Sequence, residues 1–126
     1  AAYYFSEGTM AYAGEPEGAD DAYRSFKSGE LIPQLAPNSI ADGLLTSLGK
    51  KPFDIIKKHV SDIFLVNDKE IVAAMRLIWE RMKIIIEPSC AVPLAAIIRN
   101  KSMFQGKKVG VILTGGNVDL EKLPFN

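Results

Sequence analysis

The sequence predicts an α/β fold, a mostly parallel sheet flanked by helices, built as part of a larger domain. Three observations carry this expectation. Helical patterns alternate with short apolar runs, the signature of a layered α/β architecture. The run Val109-Gly110-Val111-Ile112-Leu113 is continuously apolar, as a strand covered on both faces is. Such runs are few, and a parallel sheet this thin normally belongs to something wider, with helices on both faces.

Residues 1–6 read as the end of a helix, with Gly8 as its stop, and Met10-Ala11-Tyr12-Ala13-Gly14 reads as a short strand. Glu15-Pro16-Glu17-Gly18 breaks that strand. A helix follows from about Ala19 to Ser28. Asp20 and Asp21 in its first turn and Gly29 past its last give the polarity the helix dipole favours. From Leu31 to Lys50 the chain is mostly loop, punctuated by Pro33, Pro37, Asn38 and Gly43, with Ile40-Ala41-Asp42-Gly43-Leu44 as a candidate extended piece.

Pro52 to His59 reads as a helix opened by proline, Asp62 to Val66 as a buried strand, and Asp68 to Lys83 as the clearest helix. On that helix Ile71, Ala74, Met75, Ile78 and Met82 share one face, while Arg76 and Glu80 pair on another. Ile84-Ile85-Ile86 then leads into Glu87-Pro88-Ser89, where Ser89 can cap a helix running through Ala95-Ala96 to about Asn100. Lys107 to Leu113 is the last predicted strand.

The 126 residues are 48% hydrophobic and 24% charged, enough for one core and too few for two. Basic and acidic residues balance at 15 each and the basic ones are scattered, which argues against a nucleic-acid partner or an anionic membrane surface. Cys90 is the only cysteine, so no intrachain disulfide can form and a reducing, cytoplasmic compartment is the simplest expectation. No apolar run reaches membrane-spanning length. The opening "AAYYFSEG" lacks the basic and long apolar regions of a signal peptide.

Several clusters admit two readings. Glu15, Glu17, Asp20 and Asp21 crowd one turn. They form either a turn followed by an acid-capped helix, or a hard-cation site in which Glu15, Asp21 and a backbone carbonyl ligate Mg²⁺ or Ca²⁺. Lys27, in the last turn of its helix, reads as a solvated partner of the dipole. Cys90 sits at a helix start, where thiols can be activated, but the one histidine, His59, is far away in sequence. A small buried cysteine beside Ala91 is the better reading. Thr114-Gly115-Gly116-Asn117 is either a strand-ending turn or a place where a hydroxyl meets a ligand and two glycines let that ligand approach the backbone.

Taken together, "GEPEGADDAYRS", "IADGL", "WERMKIIIEPS" and "VGVILTGGNVDL" closely resemble the C-terminal part of the serine racemase and serine/threonine dehydratase family. These are pyridoxal phosphate enzymes of fold type II, the tryptophan-synthase-β-like fold. The resemblance covers nearly the whole chain in the family's order and spacing. It implies that the Thr114 hydroxyl bonds the cofactor's pyridine nitrogen, that Gly43 lies beside the reactive carbon, and that Glu87 and Gly115 line the ring region. It implies Glu15, Asp21 and the carbonyl of Ala19 as ligands of Mg²⁺ or another divalent cation. Arg81, Lys83 and Asn117 match positions that contact a nucleotide effector in some eukaryotic racemases.

A hydroxyl at the pyridine nitrogen makes the ring a weaker electron sink than a carboxylate would, which suits β-elimination. The family's Ser-x-Lys-x-Arg-Gly segment, which carries the Schiff-base lysine, and its glycine-rich phosphate loop have no counterpart in these residues. Lys27 is followed by Ser28-Gly29 and does not match. The resemblance therefore implies that residues 1–126 are the C-terminal part of one catalytic domain, without a regulatory domain and inactive alone. The whole enzyme would be a homodimer acting at Cα of L-serine or L-threonine, either removing water and ammonia or inverting the centre. The rival reading is a non-catalytic α/β module that binds a divalent cation or a nucleotide.

Overall fold

The computed structural model describes residues 2–125. The predicted helix over 1–6 is α1 (Ala2–Phe5), and Ala1 lies outside the described residues. Two strands, β1 (Ala11–Pro16) and β2 (Val60–Val66), pair in parallel, with Tyr12 opposite Asp62 and Pro16 opposite Val66. Around them run α2 (Asp21–Ser28), α3 (Lys50–His59), α4 (Asp68–Met82), α5 (Pro88–Arg99) and the short α6 (Lys101–Phe104). The alternation of strand and helix expected from the sequence is the architecture observed.

Helix boundaries follow local chemistry. Asn67 accepts the Glu70 amide while the Glu70 carboxylate accepts the Asn67 amide, a reciprocal capping box that opens α4. Gly29 closes α2 in the left-handed conformation at φ 78, which glycine adopts without Cβ strain. Pro88 takes the first position of α5, where its missing N–H costs nothing, so the N-cap is Glu87 and not Ser89. Ser89 lies inside the first turn, its side chain directed to another loop.

The core lies between α4, α5 and one face of the sheet. Ile71, Ala74, Met75 and Ile78 of α4 meet Cys90, Ala91, Val92, Ala95 and Ala96 of α5, with Val66 of β2 beneath them. Burying each large aliphatic side chain is worth ~1.5–3 kcal/mol. Small residues bring α5 close to β1: a Cβ on Gly14 would stand 3.1 Å from Val92 Cγ1 and 3.2 Å from Ala96 Cβ. Along β2, Phe64 and Val66 face this cluster while Ile63, also buried, points to the opposite face, where α2 and α3 pack.

Three expectations need correction. Residues 107–113 form no strand: they have no ladder partner among the described residues, and Ile112 is 78% exposed. An apolar run becomes a strand only when a neighbouring backbone accepts from its N–H groups and donates to its C=O groups. Residues 40–44 are not extended either, because Asp42–Leu44 winds into a 3₁₀ turn with the Leu44 amide bonded to Ala41 O at 2.9 Å. Met82, expected on the core face of α4, is 54% exposed in the last turn, where the chain turns at Lys83. No described helix is long and apolar enough to cross a membrane.

Candidate functional site

The first turn of α5 is a junction for two loops distant in sequence. Glu87 donates its amide to Gly115 O at 3.1 Å, and its Oε2 accepts the Asn117 amide at 3.1 Å. Ser89 Oγ accepts the Gly43 amide at 3.1 Å, and Cys90 Sγ accepts the Thr114 amide at 3.1 Å. The segments "IADGL" and "LTGGN" are thereby fastened to the same helical turn, bringing Gly43, Glu87, Gly115 and Asn117 together. Ser39 Oγ and the Ile40 amide, both bonded to Asp68, tie the first of these loops to the start of α4 as well.

A side chain at position 43 or 115 would crowd the first turn of α5. A Cβ on Gly115 would lie 2.6 Å from Glu87 Cδ, and one on Gly43 would lie 3.0 Å from Ser89 Oγ. Thr114 is exposed, and its hydroxyl has no hydrogen-bond partner among the described residues. An exposed hydroxyl followed by two glycines is an arrangement that can receive a flat ligand. A cleft of about 190 Å³ is bounded by Asp42, Pro88, Asn117 and Lys122, and its lining does not include Thr114, Gly43, Glu87 or Gly115.

The acidic turn follows β1 directly. Glu15 projects to the α2 face, where Oε1 accepts the Ala22 amide at 3.1 Å and Oε2 accepts the Tyr23 amide at 2.7 Å. It therefore serves the free amides of α2, a task expected of the local acids; Asp20, the N-cap residue, makes no capping bond and pairs with Arg24 at 2.8 Å. Asp21 is 2% exposed and accepts the Leu48 amide through Oδ2 at 2.6 Å. Burial pushes the Glu15 carboxyl up to about 7 against the pull of its two amides, and the nearby charges of Asp21 and Asp20 push the same way.

The acid-capped helix is thus real, with Glu15 as the cap. No group of three or more His, Cys, Asp or Glu side chains among the described residues could hold a metal ion. The set Glu15, Asp21 and the Ala19 carbonyl contributes only two such side chains and is of a different kind.

Arg81 and Lys83 are exposed at the end of α4, and no hydrogen bond or ion pair joins either to Asn117 among the described residues. Lys27 is not simply solvated: its Nζ pairs with Asp62 at 2.7 Å. Sequence reasoning missed Arg99, whose Nη1 reaches Glu17 at 2.7 Å and Glu70 at 3.1 Å, and it missed the acceptor roles of Ser89 and Cys90. Their partners lie far along the chain, so no local pattern announces them.

The family model described as "Pyridoxal-phosphate dependent enzyme" matches residues 3–115. The chain is 57% identical over 118 residues to a beta-hydroxyaspartate dehydratase of Paracoccus denitrificans, covering 94% of this chain and 38% of that protein. Its structure superposes on the crystal structure of serine racemase from Dictyostelium discoideum with TM-score 0.85 and 51% identity, over 94% of this chain and 38% of that one. The crystal structure of a threonine deaminase from T.th. superposes with TM-score 0.83 and 34% identity, over 94% and 44%. The chain spans less than half the length of each of these proteins.

Proposed function

Because the chain belongs to the pyridoxal-phosphate dependent enzyme family, we propose that it supplies one wall of a cofactor site in a catalytic domain acting at Cα of a β-hydroxy amino acid. Its α/β architecture is that of the fold type II members it resembles. Relatives named for serine, threonine and hydroxyaspartate share a β-hydroxyl that can leave once the Cα proton is gone. That shared chemistry defines the substrate class. Dehydration and racemisation both begin with that proton.

The observation that carries the reading is the convergence of Gly43, Glu87, Thr114 and Gly115 on the first turn of α5. When bound, pyridoxal phosphate supplies the electron withdrawal that acidifies the Cα proton. The free Thr114 hydroxyl would donate to the pyridine nitrogen, and Gly43 and Gly115 would let Ser89 and Glu87 pack directly against the backbone beside the ring. Being neutral, that hydroxyl would not compel the nitrogen to hold a proton as a carboxylate would, so the bound group would supply a more moderate electron sink.

The same reading assigns Glu15, Asp21 and the Ala19 carbonyl to a divalent cation such as Mg²⁺. Supporting it, both carboxylates are buried and neither makes an ion pair with a basic side chain among the described residues. All three donors are hard oxygens. Arg81, Lys83 and Asn117 are assigned to a nucleotide effector, and the whole protein to a cytoplasmic homodimer of which these residues form part of one catalytic domain.

Removing the hydroxyl in Thr114→Ala of the full-length enzyme tests the reading. Cofactor affinity is expected to fall by about one order of magnitude, equivalent to ~1–2 kcal/mol for a lost hydrogen bond, with the melting temperature of the apoprotein nearly unchanged. Unaltered affinity by cofactor titration would remove Thr114 from the site.

A further inference from the structure

Thr114 follows the apolar run 109–113, and hydrogen bonds from outside that run hold its backbone in place. Two bonds do so, and both come from the first turn of α5. Gly115 O accepts the Glu87 amide, and the Thr114 amide itself donates to Cys90 Sγ at 3.1 Å. Cys90 is 3% exposed and packed in the core cluster beside Ala91 and Val92. Its sulfur cannot wander, because close-packed neighbours on a regular helix fix its position.

We infer that Cys90 is a positioning residue: its buried sulfur holds the Thr114 amide, and through it sets where the Thr114 hydroxyl presents itself to the cofactor ring. This rests on the reading that Thr114 bonds the pyridine nitrogen. Sulfur is a weak acceptor, but the bond is the only one the Thr114 amide makes among the described residues. Without it the backbone at Thr114 loses a hydrogen bond and keeps, among the described residues, the Gly115 carbonyl bond and the packing of Leu113 against the core. A hydroxyl carried on a loosened backbone reaches the same geometry less often, so the lost order is expected as weaker cofactor binding and not as a changed fold. The role differs from redox or nucleophilic use of a thiol, since the sulfur only accepts.

The test is a double-mutant cycle in the full-length enzyme with Cys90→Ala, Thr114→Val and the two combined. Cofactor affinity is read by titrating each apoprotein with pyridoxal phosphate and following the absorbance and fluorescence of the bound form. Thr114→Val and Cys90→Ala are each expected to weaken binding, roughly threefold to tenfold, the range of one modest hydrogen bond. The double variant is expected to bind no more weakly than Thr114→Val alone, because Cys90 acts only through the hydroxyl already removed.

Losses that multiply in the double variant would overturn the inference, as would a Cys90→Ala protein that binds like the wild type while Thr114→Val is impaired. Wild-type affinity in Thr114→Val would instead remove the reading of Thr114 on which the inference stands. If Cys90→Ala fails to fold, Cys90→Val fills the core without an acceptor and carries the same cycle.

Discussion

Gly115 and Glu87 form the tightest juxtaposition at the site. A Cβ on Gly115 would lie 2.6 Å from Glu87 Cδ, and the displaced carboxylate would have to release the Asn117 amide. Gly115→Ala is therefore expected to cost ~1–3 kcal/mol by overpacking and to weaken cofactor binding while leaving secondary structure intact. Circular dichroism beside a cofactor titration separates the two effects, and an Ala variant indistinguishable from wild type would mean that Glu87 is free to move. In the acidic turn, the proposed cation assignment rests on Asp21 and not on its neighbour. Asp21 is buried against the Leu48 amide, whereas Asp20 sits in a part-exposed pair with Arg24. In the full-length enzyme, Asp21→Ala should abolish most of the rise in melting temperature produced by Mg²⁺, and Asp20→Ala should preserve it. Equal losses would count against the assignment, because an exposed pair contributes only ~0.2–1 kcal/mol.

At the scale of elements, α4 and α5 make the frame on which both loops hang. The start of α4 depends on the capping box between Asn67 and Glu70, and Asp68 in the same turn anchors Ser39 and Ile40 ahead of Gly43. Asn67→Ala should lower stability by ~1 kcal/mol, with the denaturation slope unchanged. Urea titration checks the size of the loss, and a value near zero would show that Glu70 caps the helix unaided. These helices were readable because their apolar residues recur with helical period: Ile71, Ala74, Met75 and Ile78 are buried as their spacing requires. The capping of α2 was not, since Glu15 stands on β1, seven residues before the Ala22 amide it receives, beyond the reach of local capping patterns.

Across the whole molecule, a two-stranded sheet carries helices on both faces, and the apolar stretch near its end lies outside that sheet. Val109, Val111 and Ile112 are exposed at 43%, 36% and 78%, a contiguous apolar strip of the kind that drives association. The 126-residue chain by itself is therefore expected to self-associate as its concentration rises, and Ile112→Lys to reduce that tendency without changing helix content. Size-exclusion chromatography over a hundredfold range of dilution reads this directly. A monomer at every concentration would show that the strip is covered in solution. The chain spans 38% of the length of its hydroxyaspartate dehydratase relative, so the activity proposed belongs to the larger protein.

Periodicity and punctuation in the sequence alone determined α1 to α5, β1 and β2, the Ala95-Ala96 core of α5, and the resemblance carried by four spaced motifs. These are local properties, decided by which residues recur at which spacing and by where glycine and proline interrupt them. Only the tertiary structure decided that residues 107–113 lack a ladder, that Glu15 caps a helix it does not precede, and that Ser89 and Cys90 hold Gly43 and Thr114. The physical reason is that a hydrogen-bond acceptor is matched to whichever donor the packing brings within about 3 Å, irrespective of separation along the chain. Cys90 and Thr114 meet because α5 is buried between α4 and the sheet, with its first turn facing the loop.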